Sequence, residues 1–127
     1  MSKWIAAASA LMAVTVIFHI FGGGPEVNDI VSASGLPPTV RALSSVVWHG
    51  ITLMLVLATL ALAYLATHDN PAMETFLALW QLGLAALFIG YGIMQLGTVW
   101  LTPQWTVFIA MPLLTYIGSR RRRATVA

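Results

Sequence analysis

Cysteine is absent from the 127-residue sequence, and six Lys and Arg plus four Asp and Glu make up only 8% of it. The first absence excludes a disulfide framework, a CxxC redox pair, a thiol nucleophile, cysteine-ligated zinc or iron–sulfur centres and covalently attached haem. The second excludes a soluble globular surface, which carries about 25% charged residues. Disorder is excluded too, because 59% of the residues are hydrophobic. A basic face for nucleic acid is also missing: four of the six cations form one terminal run, Arg120 to Arg123, so nucleic acid is not an expected partner.

What is present is long apolar sequence, with a mean hydropathy of +0.87. A span takes roughly 20 apolar residues to cross about 30 Å of hydrocarbon. Four runs approach that length, at about residues 4–21, 42–66, 73–96 and 103–118. The reading is an all-α integral membrane protein, a single four-helix transmembrane bundle. The small-x-small pattern at Ala8 to Ala10 does not mark signal-peptide cleavage, because the apolar run continues to Phe21. Gly22, Gly23, Gly24 and Pro25 are expected to stop the first helix. The outer loop, residues 22–41, is expected to hold a separate interfacial helix from Pro25 to Ser34, with Glu26 and Asp29 at its positive end. Pro112 predicts a kink in the short fourth span.

Lys3 and the four arginines flank one side and Arg41 alone the other, so both termini are expected in the cytoplasm. Trp100 and Trp105 then mark the outer interface and Trp4 the inner one. The compartment expected is a bacterial inner membrane. Residues 119–127 form a basic tail, in which Arg120, Arg121, Arg122 and Arg123 set topology, touch anionic lipid or dock a partner. His68, Asp69, Asn70 and Pro71 read as a solvated turn, and Glu74 as a favourable charge on the start of the third span.

Helices in lipid associate through small residues and a few hydrogen bonds. Gly83, Gly90 and Gly97 recur every seven residues and are expected to form a packing seam. Gln81 and Gln95 are expected to face the bundle or a partner.

No Asp, Glu, Lys or Arg lies in the middle of a span. In size and four-helix layout the chain is similar to the small multidrug resistance family, but it lacks the intramembrane ionisable group that proton-coupled exchange needs. No GxSxG elbow or phosphate-binding loop appears, so an enzyme is not expected. The chemistry left rests on His19 and His49, at similar depth near the outer face. Thr15, Ser45, Thr52, Tyr91 and Gln95 are expected around them, with Glu26 and Asp29 folding over. Two readings follow. The histidines tie helices together by hydrogen bonds, or they ligate a metal ion or a b-type haem whose propionate meets Arg41. The function expected is a non-enzymatic accessory subunit that engages lipid, other membrane proteins or its own copies. The alternatives are a metal- or haem-binding protein in metal handling or electron transfer, and an oligomeric carrier or channel.

Overall fold

A computed structural model describes the backbone of residues 1–126 and the side chains of residues 1–124. Every regular element among them is helical: α1 (Lys3–Phe18), a π-helical stretch (His19–Asn28), α2 (Asp29–Ala33), α3 (Pro38–Leu65), α4 (Pro71–Leu96) and α5 (Trp105–Val126). Among the described residues three helical stretches are long and apolar enough to cross a membrane: Lys3–Ala33, Pro38–Leu65 and Pro71–Leu96. They support a membrane protein. The fourth, α5, has 22 residues, runs through Pro112 and ends in the arginine run.

The first helix does not stop at Gly22. It passes without a break through all three glycines and Pro25 to Ala33, so the separate interfacial helix from Pro25 to Ser34 does not form. A glycine ends a helix by turning left-handed, and among the described residues only Gly97 has a positive φ, 68°. Pro25 cannot complete an ordinary i to i−4 bond, and the wider π register, with its i to i−5 bonds, carries the helix past it. The chain turns only at Ser34, whose backbone is extended.

The other ends follow local chemistry. Pro38 opens α3 at the first helical position, where a missing N–H costs nothing. Asn70 caps α4 by accepting from the Met73 amide at 3.1 Å. Gly97 closes α4 in the left-handed conformation, which makes it a terminator and not part of a packing seam.

In the bundle α1 packs between α3 and α5, and α5 packs between α1 and α4. α3 and α4 are consecutive in sequence yet scarcely touch, so the ring of helices is open along one side. The core runs down the middle on Ile5, Ala8 and Met12 of α1, Leu55 and Leu62 of α3, Leu77 and Ala85 of α4, and Phe108 and Met111 of α5. Large apolar side chains such as Phe18, Leu53, Leu60, Phe76, Leu79 and Met94 face outward, an exposed apolar area well beyond that of soluble monomers.

Both helix ends that carry Lys3 and the arginines meet the α3–α4 turn. The Ser2 amide donates to the Ala66 carbonyl at 2.7 Å. Gly118 lies so close to α1 that a Cβ there would come within 2.5 Å of Ser2 Oγ and 2.6 Å of Ile5 Cγ1. This is the terminal end of the bundle; the π-helical stretch and the α4–α5 connection form the loop end.

Candidate functional site

At the loop end, His19 stacks on Trp48 of α3 with ring centroids 4.1 Å apart and planes 14° from parallel. One turn on, Gly23 lies under the same indole, and a Cβ there would meet Trp48 Cη2 at 2.9 Å. Gly23 thus admits a tryptophan within a run expected to break the helix. His19 Nε2 is buried without a hydrogen-bond partner among the described residues. Arg41 donates from Nη1 to the Ser32 carbonyl at 3.0 Å, a cation on the last carbonyls of α2, where the helix dipole favours it.

The wider polar cluster expected around the histidines does not assemble. Thr15 and Thr52 spend their hydroxyls on their own helices, donating to Leu11 O at 2.9 Å and Trp48 O at 3.1 Å, the usual back-bond of a helical threonine. Ser45 Oγ lies 3.5 Å from Ser32 Oγ. His49, Glu26 and Asp29 are exposed. Tyr91 and Gln95 are exposed as well, because α5 stands between α4 and the α1–α3 pair. Among the described residues, no three His, Cys, Asp or Glu side chains are grouped to hold a metal ion. The metal and haem readings gain no support.

The expected glycine seam also lies elsewhere. A Cβ on Gly83 or Gly90 would meet nothing within 4 Å, so no helix of this chain uses that face of α4. The opposite face is the one packed inward. Gln81 is 1% exposed there, and its Nε2 lies 3.9 Å from Met111 Sδ, a weak acceptor.

The densest polar constellation sits at the terminal end, where the sequence reads as a solvated turn and a basic tail that sets topology, touches anionic lipid or docks a partner. Arg122 donates from Nη1 to the Leu65 carbonyl at 2.7 Å, and from Nη2 to Asp69 Oδ1 at 2.9 Å and Glu74 Oε1 at 3.0 Å. Arg123 Nη2 reaches Asp69 Oδ1 at 3.3 Å and Glu74 Oε2 at 2.8 Å. The Glu74 side chain is only 11% exposed, so this is more than a surface pair. For Asp69, desolvation acts upward but is outweighed by hydrogen bonds from Arg123 and Arg122, which hold its carboxyl below the ordinary value. The hydrogen bond to Asp69, ahead of other causes, raises Arg123 in turn. Beside the network, Arg121 lies over the Trp4 ring at 5.1 Å and Arg120 donates to Tyr116 Oη at 3.1 Å. The signal is present in the sequence: with four spans, the turn after the second and the tail after the fourth fall at the same end, and opposite charges confined to one rim have each other as nearest partners.

The arrangement provides charge pairing and close packing. Comparison of the chain with protein-family models, curated proteins and solved structures returned no match.

Proposed function

We propose that this chain is a small non-enzymatic subunit of a membrane complex, crossing a bacterial inner membrane four times with both termini in the cytoplasm and presenting the outer face of α4 to a transmembrane helix of another protein. The observation that carries the reading is the open space beside Gly83 and Gly90. Small residues in a membrane helix let another backbone come close, and no helix within the chain takes up the offer. Gln95 is exposed on the same helix, and an amide facing lipid is costly unless a neighbour receives it.

The arrangement of the bundle's ends supports four crossings. Lys3 and the arginine run share the terminal end, which the positive-inside tendency assigns to the cytoplasm. Residues 105–119 of α5 carry no charge and extend about 22 Å, short for a span and suited to a locally thinned bilayer.

The test is purification from the native membrane in mild detergent, with Gly83→Leu and Gly90→Leu in parallel. The expected result is a stoichiometric partner of different sequence that both substitutions release while the chain stays helical. A chain that migrates without such a partner overturns the reading.

A further inference from the structure

The open side of the helix ring is a groove of about 210 Å³ between α3 and α4. Met54, Leu57 and Ala61 form one wall and Met73, Phe76 and Trp80 the other. Each wall spans seven residue steps, about 10 Å of helix. The size selects the occupant. A helix is 10–12 Å across with its side chains and does not enter such a space, whereas a single hydrocarbon chain does. The apolar lining offers a ligand nothing to hydrogen-bond along the walls, which excludes a polar small molecule.

The mouth of the groove supplies what the walls lack. Met73 adjoins Glu74, whose Oε1 is 3.0 Å from Arg122, and Arg122 also bonds the carbonyl of Leu65, one helical turn past Ala61, so the guanidinium pair lies about one turn beyond this end of the groove. Arg123 remains 46% exposed. At this end of the bundle five cationic side chains, Lys3 and Arg120 to Arg123, stand against two carboxylates, Asp69 and Glu74, and the surplus is positive. An exposed guanidinium in a positive rim, beyond the head of a hydrocarbon-sized groove, complements an anionic phospholipid.

We propose that the α3–α4 groove is a binding site for one anionic phospholipid, with an acyl chain lying between Ala61 and Phe76 and the phosphate meeting Arg122 and Arg123. The site rests on the membrane reading above. The two fail separately: recovery of the chain in the soluble fraction overturns the membrane reading, while recovery in the membrane without lipid preference overturns this site alone.

The experiment titrates the full-length protein in detergent with phosphatidylglycerol and with phosphatidylcholine of identical chains, counting bound lipid by native mass spectrometry. The first phosphatidylglycerol should bind at least about fivefold better than phosphatidylcholine, the scale of one basic side chain at a headgroup. Ala61→Phe, which fills the groove, should lower that first binding about fivefold or more, and Arg123→Gln should shrink the preference. Equal binding of the two lipids, or a preference untouched by Ala61→Phe, overturns the site. Should Ala61→Phe fail to fold, phosphatidylglycerol brominated on its chains decides: it should quench a fraction of emission that Trp80→Phe removes, and quenching unchanged by Trp80→Phe overturns the proposal.

Discussion

Arg122 Nη1 donates to the Leu65 carbonyl at 2.7 Å, across 57 residues of sequence. Leu65 is the last residue of α3, where carbonyls lack intrahelical partners. One guanidinium therefore ends α3, holds the turn through Asp69 and holds the start of α4 through Glu74. α3 and α4 scarcely touch along their lengths, so this side chain braces the short turn that joins their adjoining ends.

Arg122→Met should destabilise the bundle more than Arg123→Met, since each removes one cation from the two carboxylates but only Arg122→Met also strands the Leu65 carbonyl. Glu74→Gln should cost about 2 kcal/mol, the scale of hydrogen bonds to a charged group. Unfolding titrations in mixed micelles measure all three, and a Glu74→Gln/Arg122→Met double-mutant cycle should be strongly non-additive. An additive cycle would contradict the shared network.

The pH dependence has a definite sign. A carboxyl whose pKa is depressed on folding stabilises the fold above its unfolded value and ceases to do so as pH falls through the folded one. Asp69 is such a group, so its contribution is fully present at neutral pH and declines only below about pH 4. Arg123, raised on folding, contributes through the whole neutral range and loses its effect only in strong base. Asp69→Asn should flatten the acid limb of a stability–pH curve relative to the parent. An unchanged limb would show that the pair adds nothing to the fold.

The glycines divide into two classes that substitution by alanine separates. Gly118→Ala forces a methyl against Ser2 and Ile5, and overpacking of this kind costs about 1–3 kcal/mol. Gly90→Ala meets nothing and should leave the isolated chain unchanged or more stable by up to about 1 kcal/mol, from helix propensity. Thermal unfolding in detergent distinguishes them. Equal effects at the two sites would contradict the packing described for α5.

At the loop end, His19→Phe should preserve the stack on Trp48, whereas His19→Ala should remove about 0.5–1.5 kcal/mol and shift Trp48 emission to the red. Fluorescence of the two variants against a Trp48→Phe background correction checks this. If both variants match the parent, the contact carries no weight.

The sequence made the helical class and the apolar stretches legible because charge is confined to the segments at the two ends of the bundle. It misled wherever one residue type serves two purposes. Gly22 to Gly24 and Pro25 read as a stop, but whether glycine ends a helix depends on its φ, and Trp48, 25 positions beyond Gly23, needs a surface without Cβ atoms. Gly83, Gly90 and Gly97 share a sevenfold spacing, yet two are open to the outside and the third is a cap. The polar cluster failed for a topological reason: depth in the bilayer was readable for Tyr91, Gln95 and His19, but not which helix stands between them. The arginine–carboxylate network was missed because its two halves were each given a separate local explanation.

The central position of α1 bears on how the bundle is built. Synthesis proceeds from the N-terminus, so α1 leaves the ribosome before either of its neighbours, α3 and α5, exists. Its inward face of Ile5, Ala8 and Met12 must wait in lipid or against the insertion machinery through the making of α3 and α4. Assembly can finish only when α5 arrives and Gly118 closes on Ser2 and Ile5. A chain interrupted before α5 would hold three long apolar helices with their hub exposed, a ready substrate for membrane quality control.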